Sequence, residues 1–492
     1  MKRFFALLLT AVFAFCLLPL AQGKAAASEA RDITADCVIK VGGKAINAKA
    51  VDSSDYTYAE FDNVMVSITA REPIGGVYLK FNGSAPKWNI NYNGKTYYNA
   101  TGFLHSYQSV DESAQTIALG LPGKVSVAEI RVLSKGDKLP SFVQVWQKAE
   151  GNCDLMIFAC HGGDDQLYFA GAIPDALNRG AKVQICYFIN PSNTVIGTHE
   201  LLNGLWASGL DRYPVISAFP DTYLTRTEAE ALKGLNDKGF TYAQMVDYAV
   251  TQLRRFKPQV VLTHDEAGEY GHGAHMLASH VLRDAVDAAA DTSKYPNSAS
   301  YGAWDVPKVY IHLLSDNAID FEIDTPLERF NGMTAFNVSQ NAMRCHASQQ
   351  EKAQYKWLFG ADGSVTKSTQ LTEYSPRKFG LWHSTVGEDT VKKDFYENLN
   401  LSGGETPTEP PETEEPTTEP PQTEEPTEPP VTAAPATAEP APTEAPTEAP
   451  ETTAPGGVPT NEKLPSPVLI AFIILLLLAA AGVAIHFIIK FN

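Results

Sequence analysis

Histidines and carboxylates are concentrated in two short segments of the chain. The first is ACHGGDDQLYFAG (residues 159–171) and the second is THDEAGEYGHGAH (residues 263–275). Neutral imidazoles and carboxylates suit Zn²⁺, and a catalytic site with three such ligands keeps a position open for water. The composition of these segments predicts a hydrolytic metal site.

The spacing within each segment favours convergence on one ion. His161 and Asp164 lie three positions apart in a loop, and the two glycines between them permit a tight turn. His272 and His275 are also three apart, where a helix is predicted to begin, so that one or both can add ligands.

Each segment follows an apolar run that is typical of a buried strand, LMIF (residues 155–158) and VVLT (residues 260–263). From residue 150 onwards such strands alternate with helical patterns, which predicts a mainly parallel sheet covered on both faces. Further strands are expected at residues 183–188, 214–219 and 308–314, and helices at residues 199–209, 241–256 and 275–287. Sites in such sheets lie beyond the carboxyl ends of the strands, which is where both segments fall.

Residues 31–149 show the alternation of short antiparallel strands instead, and predict an N-terminal β-sandwich. Its strands are expected at residues 64–69, 76–81, 116–121 and 128–133, and the last of them resemble the end of a galactose-binding-like jelly roll. Four residues of this part form either a saccharide platform or ordinary packing: Lys87, Trp88, Tyr92 and Tyr97.

The two ends of the chain predict export and membrane attachment. Residues 1–27 have the charged start, apolar run and small-residue exit of a signal peptide. Residues 403–464 hold 16 of the 32 prolines and 14 glutamates, and predict a disordered stalk rich in Thr, Glu and Pro. Residues 467–490 predict one transmembrane helix. We therefore expect a single-pass protein of the cell membrane with extracellular folded domains.

Charge and cysteine content exclude some classes. Most of the net charge of −18 comes from the stalk. The rest of the sequence has no basic patch of the kind that nucleic-acid binding needs. Loss of the signal peptide leaves five cysteines without a CxxC motif, which argues against a disulfide scaffold or a thiolate zinc site. Cys160 and Cys186 are expected to be buried apolar residues, and one bridge between Cys37 and Cys153 stays open.

At residues 150–400 the chain resembles the LmbE-like, or PIG-L, zinc-dependent de-N-acetylases. The family has H-P/A-D-D-E after a strand, which CHGGDD resembles with a departure, and a later H-x-x-H, which GHGAH contains in full. Three further segments also resemble sequences of this family: HELLNGLWASG, YPVISAFPD and FGLWHSTVGEDTVKKDFYENL. The resemblance implies a Rossmann-like three-layer α/β fold.

Carried over by position, the resemblance implies roles for individual residues. The family's zinc ligands fall on His161, Asp164 and His275. Its histidine that stabilises the oxyanion and protonates the leaving amine falls on His272, and a substrate-binding acid falls on Asp221.

The first motif departs from the family pattern. The family's general base precedes the metal-binding aspartate, and an ungapped alignment places Gly163 there. Asp165 then takes the catalytic base role by default, unless water serves alone. A one-residue bulge would instead make Asp164 the base and Asp165 the ligand; the ungapped alignment is favoured because it needs no distortion.

A second departure lies in the substrate-binding motif R-x-x-E, in which Glu200 is present but Gly197 replaces the arginine. The leading hypothesis is a zinc hydrolase that removes the N-acetyl group from an N-acetylglucosamine-type glycan or glycoconjugate outside the cell. The alternative is a catalytically impaired relative that binds carbohydrate at the cell surface. A scaffold displayed on its stalk is the third hypothesis.

Overall fold

The computed structural model describes residues 28–191, 195–222 and 225–402, which lie within one compact unit of the chain. The predicted signal peptide, stalk and transmembrane helix lie outside the described residues. Among the helices of these described ranges, none is both long enough and apolar enough to cross a bilayer.

The first part of the chain forms an antiparallel sheet. Its strands are β1 (Val38–Val41), β2 (Lys44–Ala45), β3 (Ala59–Thr69), β4 (Ile74–Asn82), β5 (Trp88–Tyr92), β6 (Lys95–Asn99), β7 (His105–Ser109) and β8 (Thr116–Ser134). The order is β2-β1-β3-β8-β4-β7, with β5 also paired to β8 and β6 paired to β5. The antiparallel character was predicted, but the strands share one hydrogen-bonded sheet through β8, where the predicted sandwich has two separate sheets.

Strand β8 corrects the prediction of two strands at residues 116–121 and 128–133. It runs without a break through Pro122 and Gly123, residues that read as a turn in the sequence. Its pairing with β3 shifts register at this point, so that Pro122 and Gly123 lie opposite Asn63 alone. A bulge therefore accommodates the two turn residues within a single strand.

The aromatic residues proposed as a saccharide platform pack instead. Trp88 is only 1% exposed and its Nε1 donates to Ser106 Oγ at 3.1 Å. Tyr92 is buried and stacks on Tyr97, with ring centroids 4.7 Å apart. Lys87 lies over the ring of Tyr98. These contacts show that packing is the correct alternative. The sequence left both open because alternation along a strand does not reveal which face is covered.

The second sheet is mainly parallel, as predicted. Its strands are β9 (Leu155–Ala159), β10 (Val183–Tyr187), β11 (Val215–Ile216), β12 (Val260–Thr263), β13 (Lys308–His312), β14 (Ala318–Asp320) and β15 (Lys378–Ser384). They lie in the order β11-β10-β9-β12-β13-β15-β14. The strands from β11 to β13 are parallel, and β15 and β14 add an antiparallel edge.

Helices cover both faces of this sheet. They are α1 (Asp164–Leu167), α2 (Ala172–Asn178), α3 (Val195–Ala207), α4 (Glu228–Asp237), α5 (Tyr242–Phe256), α6 (Gly273–Ala289), α7 (Ala335–Met343) and α8 (Ala353–Phe359). Alternate residues of β9 enter two cores: Ile157 packs with α1, α2, α3 and α7, and Phe158 packs with α4, α5 and α6. Burial on both faces explains why β9 is apolar throughout instead of alternating.

The five described cysteines are all free. The bridge between Cys37 and Cys153 that the sequence left open is not formed. Cys153, Cys160 and Cys186 are buried, and the latter two belong to the apolar core as predicted.

Candidate metal centre

Adjacent parallel strands bring the two segments together. β9 and β12 pair in register, with Leu155 opposite Val260, so their carboxyl ends meet at one edge of the sheet. His161 follows β9, and Asp164 is the first residue of α1. His275 lies in the first turn of α6, which begins directly after His272. The predicted position of the site, beyond the strand ends, is therefore the observed one.

His161, Asp164 and His275 converge. His161 Nδ1 lies 3.2 Å from His275 Nε2 and 3.3 Å from Asp164 Oδ2. His275 Nε2 lies 3.4 Å from the same carboxylate oxygen. Zinc–ligand bonds of about 2.0–2.1 Å in a tetrahedron place neighbouring ligand atoms roughly 3.3 Å apart. The three atoms therefore have the spacing of three ligands of one zinc ion.

Asp165 does not join this cluster. Its carboxylate accepts from Tyr187 Oη at 2.8 Å and from Gly163 N at 3.3 Å, and it also contacts Gln166 Nε2. Consecutive residues of a helix project about 100° apart, which turns Asp165 away when Asp164 faces the histidines. The bulged alignment is thus wrong, and the default role of Asp165 as base has no support in its contacts.

His272 and Asp221 lie beside the cluster. The ring of His272 is centred 5.1 Å from that of His161 and 4.6 Å from that of His275. Asp221 Oδ1 is 3.7 Å from His161 Nε2, the ring nitrogen opposite the one that faces Asp164. The structure therefore brings together His161, Asp164, His272 and His275. Asp221, which also has a predicted role, lies at the edge of this group.

Glu200 lies outside the cluster. Its carboxylate accepts a hydrogen bond from Ser348 N at 2.7 Å and others from the hydroxyls of Ser348 and Tyr56. The residue is buried. Ser348 belongs to a 3₁₀ turn, Ala347–Gln349, so Glu200 holds this turn against α3.

A buried carboxylate that sequence reasoning missed orients the ligands. Glu269 is fully buried and accepts hydrogen bonds from Nδ1 of His264 at 2.9 Å, His275 at 2.7 Å and His312 at 2.7 Å. Donation from Nδ1 leaves His275 Nε2 with its lone pair toward the cluster, the arrangement by which an outer carboxylate fixes a metal-binding histidine. The signal was present in the sequence, since Glu269 lies six positions before His275 in the second segment.

His264 and Cys160 are the other donors that were not predicted. His264 Nε2 lies 3.5 Å from Asp164 Oδ2 but already accepts from Cys160 N at 2.8 Å. Cys160 Sγ lies 3.9 Å from His161 Nε2. Both residues fall within groups whose ligand atoms could hold a metal ion, Cys160 with His161 and His275, and His264 with Asp164 and His275. Because its lone pair is used, His264 supports the site rather than completing it.

The electrostatics favour an ionised Asp164, a strongly basic His275 and a neutral His272. Burial opposes ionisation of Asp164, but the charge of His275 and the hydrogen bond of His161 hold its pKa well below the usual range. Burial also opposes protonation of His275, yet Asp164 raises its pKa to about 10. Burial, reinforced by the charges of His275 and His161, lowers the pKa of His272 to about 3.

The loop at Gly163 has a conformation and a neighbour that favour glycine. Gly163 has a φ of 104°, a region that residues with a Cβ rarely adopt. A Cβ there would lie 3.2 Å from Gln349 Oε1. The Gln349 amide is held in place by donation of Nε2 to Gly162 O at 2.9 Å. An uncharged amide therefore covers the position that the family pattern gives to the base.

Curated proteins that are similar to part of this chain include deacetylases. No protein-family model matches the chain. A 1D-myo-inositol 2-acetamido-2-deoxy-alpha-D-glucopyranoside deacetylase of Geodermatophilus obscurus is 49% identical over 67 residues, which are 14% of this chain and 22% of that relative. The enzyme of the same name from Rhodococcus erythropolis is 27% identical over 191 residues, 34% of this chain and 64% of the relative. The alignments thus span less than two thirds of both relatives.

Among solved structures, N,N'-diacetylchitobiose deacetylase from Pyrococcus horikoshii matches 46% of this chain and 83% of its own, with 13% identity and a TM-score of 0.34. That TM-score is too low to support an inference. The parallel sheet and the cluster at its edge define an α/β protein with a candidate metal centre. The predicted resemblance to the LmbE-like, or PIG-L, de-N-acetylases is confirmed by the curated relatives.

Proposed function

We propose that the chain is a zinc-dependent hydrolase that removes the N-acetyl group from an N-acetylglucosamine-type glycan or glycoconjugate. One observation carries the proposal: His161, Asp164 and His275 present three ligand atoms 3.2–3.4 Å apart, with His272 beside them. The curated relatives support it because their names specify deacetylation of an acetamido sugar.

The donor set fits a zinc ion. Imidazole and carboxylate groups are ligand types that zinc accepts. Two imidazoles and one carboxylate make three protein ligands, the number found in catalytic zinc sites. When bound, zinc supplies Lewis-acid chemistry that polarises an amide carbonyl and activates water. Glu269 would keep His275 in the tautomer that can bind it.

His272 would act on the oxygen of the acetamide. A neutral imidazole has one N–H to donate, and in this buried place such a bond stabilises the negative charge that develops as the amide is attacked. His272 Nδ1 has no hydrogen-bond partner among the described residues, so one ring nitrogen is available. Asp221, on the other side of His161, would bind hydroxyls of the sugar.

A second candidate function has its own observation. Gly163 and the Gln349 amide leave the base position without a carboxylate. Loss of a general base typically removes about 10²–10⁴-fold in rate. A protein that holds zinc and binds an acetylated glycan with little turnover would have this arrangement.

The decisive experiment measures metal and amine release on the same protein. The full-length chain is purified, its zinc content is determined by mass spectrometry, and amine release from N-acetylglucosamine conjugates is followed. We expect about one zinc per chain and a loss of about 10²-fold or more in His272→Ala. The control is His280→Ala, which removes a partly exposed histidine of α6 that pairs with Glu228.

Each outcome selects one function. Amine release that depends on His272 supports the hydrolase. Bound zinc with glycan affinity but no release supports the binding protein. A chain without bound zinc, in which His275→Ala changes neither glycan affinity nor release, would overturn both.

We further propose that the folded part works outside the cell, attached through residues 467–490 and separated from the membrane by the stalk. The proposal rests on the composition of these segments. Protease treatment of intact cells should release the folded part by cleavage within the stalk. Retention of the whole chain inside protease-treated cells would contradict it.

A further inference from the structure

A cavity of about 390 Å³ opens beside the first sheet, apart from the metal centre. Its lining includes Ser53, Asp55, Tyr56, Lys80, Arg131 and Phe142. Its volume falls in the range of small-molecule sites, which combine apolar surface with a few placed polar groups.

The charges of this cavity are paired with each other. Lys80 Nζ lies 2.7 Å from Asp55 Oδ1, and the Arg131 guanidinium lies 2.8 Å from Asp32 Oδ2 and 3.2 Å from Glu129 Oε1. Lys80 and Asp55 are mostly buried, and Glu129 is 2% exposed. These paired groups offer fixed hydrogen-bond donors and acceptors, and the two cations are matched by three carboxylates, which suits a neutral polyhydroxylated ligand better than an anion.

Two aromatic rings stand uncovered at the cavity. Tyr56 is 54% exposed and Phe142 is 43% exposed. Phe142 rests at an angle on the buried Tyr78, with ring centroids 6.4 Å apart, so its ring has a fixed support. A flat exposed ring beside polar groups matches the apolar face and hydroxyl rim of a sugar.

The cavity is connected to the loop of the metal ligands. Tyr56 Oη lies 3.4 Å from Glu200 Oε1, and the same carboxylate accepts from Ser348 N. The next residue, Gln349, donates to Gly162 O between the two ligands His161 and Asp164. A short series of hydrogen bonds therefore joins the lining of the cavity to the metal-binding loop.

We propose that this cavity is a second saccharide subsite, which binds a neutral sugar unit of the glycan whose acetamido sugar reaches the metal centre. This proposal rests on the proposed function. Phe142 and Tyr56 would stack on the sugar, and the pairs Lys80–Asp55 and Arg131–Glu129 would bind its hydroxyls. It makes the chain selective for oligosaccharides over single sugars.

The test compares an N-acetylglucosamine tetrasaccharide with N-acetylglucosamine itself on the full-length protein. We expect Phe142→Ala to raise KM about tenfold for the tetrasaccharide and to leave the monosaccharide unchanged. The control is Tyr98→Ala, which removes an exposed aromatic ring (63%) from β6 of the same sheet. Thermal unfolding confirms that both variants are folded.

Calorimetric binding of the tetrasaccharide separates this proposal from the proposed function. If amine release is absent but Phe142→Ala abolishes binding and Tyr98→Ala does not, the subsite stands and the hydrolase fails. If release is present and Phe142→Ala affects both substrates equally or neither, the subsite fails and the hydrolase stands. No release and no binding overturns both.

Discussion

The amide of Gln349 lies where a side chain of residue 163 would project. Its Oε1 and Nε2 are 3.2 and 3.3 Å from the place of a Cβ at Gly163, and Nε2 donates to the preceding carbonyl, Gly162 O. The two residues are far apart in the sequence, yet together they decide which polar group occupies this space beside the metal-binding loop. The left-handed backbone at Gly163 adds a conformational reason for glycine.

Gly163→Asp should therefore destabilise the protein, even though it restores the family's carboxylate. The positive φ costs about 1–2 kcal/mol for a residue with a Cβ, and contact with Gln349 adds to it. Adding Gln349→Ala should recover part of the loss, because it vacates the space. Urea unfolding of the single and double variants measures both effects.

The rate of amine release provides a second measurement on the same pair of substitutions. Gly163→Asp with Gln349→Ala should release amine faster than Gly163→Ala with Gln349→Ala, the control that shares the strain but lacks a carboxylate. Equal rates in the two double variants would mean that the rate is not limited by a missing base at this position.

The architecture around the site could be predicted from the sequence because it depends on local patterns. The apolar runs at β9 and β12 predict buried strands, and neighbouring parallel strands must end at one edge. The convergence of His161, Asp164 and His275 follows from that edge. Gln349 could not be predicted, since its contact with the loop depends on the tertiary position of a short 3₁₀ turn.

Other differences have the same physical origin. Pro122 and Gly123 have turn propensity, but pairing of β8 with β3 on both sides of them overrides it. Trp88 lies in an alternating pattern whose buried face is chosen by packing, which alternation alone leaves open. Glu269 is acidic like its partly exposed neighbour Glu266, and only the histidines gathered around it distinguish the two.

Adjacent aspartates should differ sharply in metal binding. Asp164→Asn removes the carboxylate shared by His161 and His275, so we expect most of the bound zinc to be lost. Asp165→Asn keeps a side-chain oxygen for the Tyr187 hydroxyl, so zinc content should stay close to that of the wild type. Mass spectrometry of the purified variants measures the ratio. The opposite pattern would restore the bulged alignment.

Glu269→Gln should weaken metal binding without touching a ligand. The amide has one oxygen for three imidazole donors and places an N–H against one of them, so the tautomer of His275 is no longer fixed. Loss of such an outer carboxylate typically costs about 10–100-fold in metal affinity.

Competition with a zinc chelator measures this affinity for Glu269→Gln beside Glu266→Gln. Glu266 is a partly exposed carboxylate of the same loop that pairs with Arg283, so its loss should leave the affinity unchanged. An equal effect of both substitutions would assign the loss to the net charge of the loop instead of to the orientation of His275.

The buried histidine pair between β7 and α3 should make stability depend on pH. His105 Nε2 lies 2.7 Å from His199 Nδ1, and burial lowers the pKa of His199 to about 4 despite the nearby Asp55. An unfolded histidine has a pKa of about 6.5, so below that pH the unfolded chain binds the proton more tightly and stability falls as pH falls. Between pH 7.5 and 5 this histidine alone should lower the free energy of unfolding by about 2 kcal/mol.

In His199→Gln the drop in unfolding free energy should be smaller by that amount. In His280→Gln, which removes a partly exposed histidine, the drop should match that of the wild type. Urea unfolding at both pH values checks this, and an unchanged drop in His199→Gln would show that the pair is not the source.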